Sequence, residues 1–473
     1  MEKRLTDFQI YRLAKKGQLP EGFDRWDASY KGNTAAHAAV ESGSLPDDFD
    51  RWEITDRFGC SVAHKAMLKG KLPTGFDRWE ITDGNGISVA HSAAMINHLP
   101  AGFDRWDLSS DSGLTVAHVA AVFGTLPPDF DMWFLPDSNG LTVAHFIACN
   151  DYLPDGFEDW HMTCPSGFTV AHAAAKFGHL PESFSQWDLS DEDGISVAHV
   201  AAANRRLPDG FSQWEIRDAE GNTVAHTAAR YRALPGNFRL WEMTDGKGRT
   251  VYHSAARGGC LPEDFKNWDL TDSRGRTVWH EAARGGHLPK DFSGWDIADN
   301  SGWTVAHSAA LKGKLPKKFL FWHLADNSGR TVAHVAAKRG SLPKSFSAWG
   351  MKDGRGRTVA HIAASSDYIP HGFTAWNLTD DNGRSVAHLA AKYVTFPKNF
   401  KYWAMQDGKG NSVAHVAAAH CNLPRDFCSW EIADESGWTV AHEAAVLGKM
   451  PPGFDRWELE DSHGITVRDL CPG

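Results

Sequence analysis

Imidazoles recur along this chain at a fixed step. The series runs from His37, His64 and His91 to His442, sixteen histidines each 27 residues from the next. A Ser or Thr precedes each by three residues, and in most copies an Asp precedes it by eight, as Asp326 and Thr331 precede His334. Ser, His and Asp are the ingredients of a nucleophilic triad, and rows of histidine invite zinc. The spacing supports neither. Packed repeats stand ~8–10 Å apart, whereas zinc holds nitrogen at ~2.0–2.1 Å, so neighbouring histidines have no ion in common. A Ser-His-Asp set present in the same frame throughout serves as helix cap, turn and ladder rather than as one catalytic centre. No phosphate-cradling glycine loop or other isolated catalytic motif interrupts the pattern. The expectation is a protein that is not an enzyme and uses no metal or cofactor.

A second set of residues carries charge. The residue before the Ser/Thr is Ile87, Leu114, Leu141, Phe168 and Ile195 in early copies, then Arg249, Arg276, Trp303, Arg330, Arg357 and Arg384. Behind the paired alanines that follow each histidine, Leu68, Met95 and Val122 give way to Arg230, Arg257 and Arg284, and later to Lys338 and Lys392. A turn position adds Lys247, Arg274, Arg355 and Lys409. Three positions of the unit therefore turn basic in the same part of the chain. Bulk charge agrees: the net −10 divides into −14 over 1–219, +9 over 220–358 and −5 over 359–473. Such a distribution speaks to partners rather than to fold.

The elements that position these residues follow from the full unit, Asp-x-x-Gly-x-Thr-Val-Ala-His-x-Ala-Ala-x-x-Gly-x-Leu-Pro-x-x-Phe-x-x-Trp-x-Leu-x, whose cleanest copy is Asp326 to Lys352. Asp-x-x-Gly signals a turn with the glycine at positive φ. Thr or Ser then caps a short helix, and a glycine such as Gly313 or Gly340 ends it. Where Asn97, Asp151, Arg205, Arg232, Asp367, Val394 or Cys421 replaces that glycine, the helix end is expected to be less uniform. Leu-Pro opens a second, shorter helix that carries Phe and Trp on one face, and an extended stretch returns to the next turn. A period of this length indicates a solenoid in which each unit touches mainly its neighbours.

The first half of the unit resembles the ankyrin repeat. Asn327, Gly329, Thr331, His334, Ala336, Ala337 and Gly340 follow its pattern, with Val332 and Ala333 where the family has Pro-Leu. The second half is shortened, giving 27 residues in place of the family's 33. The resemblance implies an all-α, ankyrin-like solenoid forming a single elongated array, with structural histidines and a concave groove that holds partner proteins. Residues 1–26, where Tyr11 takes the histidine position amid Lys3, Arg4, Arg12, Lys15 and Lys16, are expected to form an N-terminal cap. Tandem repeats fill 27–460, and 461–473, with Arg468 and Asp469 in place of Ala-His, form a truncated C-terminal cap.

Seven scattered cysteines, none spaced Cys-x-x-Cys, match neither a disulfide framework nor a zinc ribbon. With no secretory leader and no run of ~20 apolar residues, the expected setting is intracellular, reducing and cytoplasmic, without membrane contact, and the expected state a monomer. The functional expectation is a protein-interaction scaffold. Its groove would take an acidic or mixed acidic-apolar partner through Arg249, Arg276, Trp303, Arg330, Arg357, Arg384, Arg257, Arg284 and Lys338, and through apolar Ile87, Leu114, Leu141 and Phe168. The alternative is a nucleic-acid or polyanion binder, with the arginines on phosphates and Trp303 stacked on a base.

Overall fold

A computed structural model describes residues 5–150, 153–154, 156–370, 372–394, 396–397 and 399–470. Lys3, Arg4, Asp151 and Cys471 lie outside them. The chain forms two compact units, 1–233 and 234–473. Both are arrays of short helices. The first opens with Asp7–Lys16 and continues with one helix per repeat from Ala35–Ser42 to Val224–Tyr231. The second runs from Val251–Gly258 to Val440–Val446, then a 3₁₀ turn at Arg468–Leu470. Within each unit, every helix packs on the next in sequence. The only two-stranded sheet among the described residues pairs Ser29–Tyr30 with Asn33–Thr34. No helix there is long and apolar enough to cross a membrane.

Most of these helices are seven or eight residues long, too short to be stable alone. Capping and packing hold them. Thr304 is a typical start: it is extended (φ −86°, ψ 166°) and its side chain accepts the backbone N–H of His307. Val305, Ala306, Ala309 and Ala310 are then fully buried against the neighbouring helices, the alanines allowing close approach. At the other end the chain turns left-handed, with Gly313 at φ +65° and Gly340 at +64°. The replacements at this position do not make the ends less uniform. Asn97, Arg205, Arg232, Asp367 and Cys421 adopt the same conformation, at φ 52–61°, although it costs a non-glycine residue ~1–2 kcal/mol. Val394 is the exception. A β-branched side chain is a poor tenant of this region; Val394 stays out of it, and its helix stops early, at Val386–Ala390.

Among the described residues the second helix does not form. After Leu-Pro the backbone makes two successive turns, as in Phe49 N–H to Pro46 O (3.1 Å) and Ile54 N–H to Arg51 O (3.4 Å). A helix nucleus fixes several residues for its first hydrogen bond. Only a few residues lie between proline and tryptophan, and seven copies place a positive-φ glycine there, Gly75 and Gly102 among them. Phe and Trp still meet, but edge to face. From Phe23 and Trp26 to Phe211 and Trp214 the rings alternate at centroid distances of 5.0–6.4 Å. The same alternation runs through the later repeats of the second unit, from Phe292 and Trp295 to Phe454 and Trp457. The extended return shrinks to one bridged pair per repeat, such as Thr55 with Ser61.

Adjacent turns also bond to each other, as Gly84 N–H does to Gly59 O at 2.8 Å. This contact sets a close backbone approach. A Cβ on Gly59 (φ +78°) would stand 2.6 Å from the Gly84 Cα, whereas one on Gly70 (φ +62°) meets nothing within 4 Å. Gly70→Ala is therefore expected to lose only the ~1–2 kcal/mol of a left-handed alanine. Gly59→Ala should lose clearly more, because backbone rather than a flexible side chain must move. Equal denaturation midpoints for the two variants would contradict this packing.

Candidate partner-binding surface

The sixteen histidines of the series are buried, at most 5% exposed, and both ring nitrogens are engaged in repeat after repeat. In the repeat of His307, Nε2 lies 3.0 Å from the carbonyl oxygen of Arg330. A carbonyl only accepts, so Nε2 carries the proton. Nδ1 is then an acceptor, and takes the Thr304 hydroxyl (2.8 Å) and backbone N–H (3.1 Å). The same pair of bonds recurs from His37, with Thr34 and the Cys60 carbonyl, to His442, with Thr439 and the Ile465 carbonyl. Burial pushes the imidazole pKa down, outweighing the carbonyl bond that favours the cation, at His118, His253, His280, His307 and His361 among others. With neither nitrogen free, the rings are structural ties. Asp469, at the histidine position of the last repeat, keeps only the cap-side bond, accepting the Thr466 hydroxyl at 2.6 Å.

A carbonyl gripped in this way belongs to the variable residue before the next Ser/Thr. That residue's own N–H is held too: Asp245 Oδ1 accepts from Lys247 (2.8 Å) and Arg249 (2.9 Å), closing the turn. Backbone on both sides is fixed, and the side chain alone is free to vary. Five arginines at this position use that freedom to reach turn aspartates. Arg249, Arg330, Arg357 and Arg384 pair with Asp245, Asp326, Asp353 and Asp380 four residues earlier, at 2.6–3.2 Å. Arg276 instead reaches Asp299 of the following repeat at 3.0 Å. Burial raises the carboxyl pKa of Asp245 and Asp353, but the N–H donors and the guanidinium outweigh it and hold both below the ordinary aspartate value. The side chains of Arg330, Arg357 and Arg384 remain 37–43% exposed.

The remaining candidates fall into three groups. In the first unit Ile87, Leu114, Leu141 and Phe168 are half-buried, with Phe168 against His172 at 5.3 Å. Leu68, Met95 and Val122 are exposed beside them in sequence frame. In the second unit Arg257 approaches the buried Glu281 at 3.9 Å, while Lys338 is exposed. Finally, Arg276, Arg284, Trp303 and Arg330 come together around one open cleft of about 630 Å³, with Glu281, Ser301, Ser308, Leu311, Asp326, Asn327 and Ser328. Trp303 is held firmly there: its indole N–H donates to Ser308 (3.0 Å), and the His307 ring and Arg330 guanidinium each lie 4.9 Å from its ring.

Sequence reasoning missed two features of this region. Tyr252 and Trp279 replace the alanine before histidine, and both rings enter the Phe–Trp series. Tyr252 lies between Trp241 (5.2 Å) and Phe265 (4.6 Å); Trp279 lies between Trp268 (3.9 Å) and Phe292 (4.7 Å). Buried Glu281 was the other. The signal was present in both cases, as the departures Val-Tyr-His and Val-Trp-His-Glu from Val-Ala-His. Among the described residues no group of three or more His, Cys, Asp or Glu is placed to hold a metal ion. No family model matches the chain, and no curated protein matches it.

The histidine ties give a pH signature. Where burial lowers the folded pKa below the ordinary 6.5, the unfolded chain binds the proton more readily. Stability is then complete above pH ~6.5 and falls as pH drops below it. The aspartates act in a separate window, below their ordinary 3.8. The melting temperature should thus fall between pH 7 and 5, before any carboxylate contributes. His307→Ala should cost ~1–3 kcal/mol at pH 7.5 and flatten part of that slope, and added zinc should not raise the midpoint. A melting temperature constant from pH 7 to 5 would refute the neutral-imidazole tie.

Proposed function

We propose that the chain is a non-catalytic protein–protein interaction scaffold, built as a shortened 27-residue variant of the ankyrin-like solenoid. The second unit offers a basic face to an acidic or mixed acidic-apolar protein surface, and the first unit offers an apolar face of its own. One observation carries this reading. At the variable position the backbone N–H and C=O are both consumed by the scaffold, yet the side chains change character in blocks, apolar from Ile87 to Ile195 and basic from Arg249 to Arg384. Blocks of one chemistry on a fixed frame suit complementarity to a partner.

The polyanion reading has less support. Base stacking needs an open aromatic face, and Trp303 already has Arg330 and His307 against its ring. The ladder arginines are also tied to aspartates, which removes net charge from the row. Phosphate binding draws on net charge and is strongly salt-dependent.

Neutralisation tests the proposal better than reversal, since glutamate in place of Arg357 would set two carboxylates together at Asp353. A variant carrying Lys338→Gln, Lys392→Gln and Arg355→Gln should fold like the wild type, exposed changes costing less than ~0.5 kcal/mol each. It should bind the proteins captured by the wild type at least ~10-fold more weakly, mainly through slower association. Replacing Leu68, Met95 and Val122 with Ser should weaken only partners that use the first unit. If the neutralised variant keeps every partner at wild-type affinity, the basic face has no binding role.

A further inference from the structure

The cleft of the second unit has one charge without a counter-charge. Arg276 is paired with Asp299, and Arg330 with Asp326. Glu281, which also lines the cleft, pairs with Arg257. Arg284 has no hydrogen-bond or ion partner among the described residues, and its Nε is shut away from solvent without an acceptor. An arginine cannot escape this by losing its proton. Leaving a buried donor unmatched is costly, more so for a charged group. The accessible remainder of the side chain lines the cleft, which apolar Trp303 and Leu311 and polar Ser301, Asn327 and Ser328 also line. That is the makeup of a small recognition site: a concavity with apolar lining and a few placed polar groups.

We infer that this cleft receives one carboxylate side chain of a partner peptide, an Asp or Glu flanked by an apolar residue. The carboxylate pairs with the terminal nitrogens of Arg284, and the apolar neighbour lies on Leu311 and on the part of Trp303 that Arg330 and His307 leave uncovered. One uncompensated cation matches one monoanion. The paired arginines on either side hold the walls without competing for it. This inference rests on the scaffold reading above and names the partner's anchor. Scaffold needs do not account for Arg284, because the same position is Leu68, Ala203 or Ser365 in other repeats.

The test uses the full chain and a fluorescently labelled octapeptide, Gly-Gly-Leu-Glu-Leu-Glu-Gly-Gly, titrated by anisotropy. Saturable binding is expected with the wild type. Arg284→Met should weaken it at least tenfold, and Lys176→Met, at the same repeat position but outside the cleft, should not change it. The peptide with both Glu replaced by Gln should not bind. A structural arginine would lower the melting temperature when removed; here Arg284→Met should leave it unchanged or raise it, since an unmatched buried charge is gone. The inference is overturned if the wild type does not bind the peptide, if Arg284→Met and Lys176→Met lose equally, if Arg284→Met melts lower, or if a single-stranded oligonucleotide displaces the peptide from both variants alike. Partner capture lost on neutralising the basic face but kept by Arg284→Met overturns this site alone and leaves the scaffold function standing.

Discussion

Everything in this array hangs on an imidazole with two obligations. One nitrogen accepts from the hydroxyl that caps the ring's own helix, and the other donates to a carbonyl 23 residues later, in the next turn. The first bond stabilises a helix too short to stand alone, and the second ties that helix to its successor. No other side chain supplies a rigid acceptor and a rigid donor in opposite directions while remaining neutral. The fixed 27-residue step follows, because an insertion between one ring and the next carbonyl would break the tie. The aromatic series serves the opposite edge of each repeat, where Phe and Trp meet edge to face in place of a second helix.

Those two edges differ in how they tolerate change. The histidine tie is a pair of directional bonds and recurs within both units. The aromatic edge is a packing of faces and edges, and it absorbs an extra ring. Tyr252 and Trp279 each slip between a tryptophan and the following phenylalanine. Trp279 stacks nearly parallel on Trp268 (11°), although edge-to-face contact prevails elsewhere. Both insertions occur in the repeats that carry Arg249, Arg257, Arg276 and Arg284, so the basic block begins where the aromatic edge is thickest.

Much of this was legible in the sequence because the period repeats each signal many times over. Turn, cap, helix and left-handed stop each have a local cause, and local causes are written in adjacent residues. The second helix was misread because Phe and Trp three apart fit a helical face and two consecutive turns equally well. Length decides between them, and a few residues after a proline are too few to nucleate. The uniform helix ends were misread for another reason. Propensity gives Arg205 little business at positive φ, yet the cooperative packing of neighbouring repeats enforces the conformation, and among the described residues only the β-branched Val394 declines it. The Asp-x-x-x-Arg pairs were visible as spacing, but that Arg276 would choose Asp299 over Asp272 depends on the distance between turns, which no local pattern records.

The scaffold does not itself dictate the arginines. The turn aspartate is common to most repeats, and its Oδ1 closes the turn whatever follows. Its second oxygen is met by arginine at Asp353 and by an asparagine amide at Asp218, where Asn222 donates at 2.8 Å. At Asp83 and Asp137 the ladder residue is Ile87 or Leu141, which offers no side-chain donor, and the turn has the same two backbone bonds. Apolar, amide and guanidinium side chains are therefore interchangeable as far as the turn is concerned. An arginine that merely satisfied an aspartate would be scattered among the repeats with asparagine. Five of them stand in six consecutive repeats, their side chains 20–43% exposed and Trp303 set between, a block that the turn by itself does not explain and that leaves the backbone untouched.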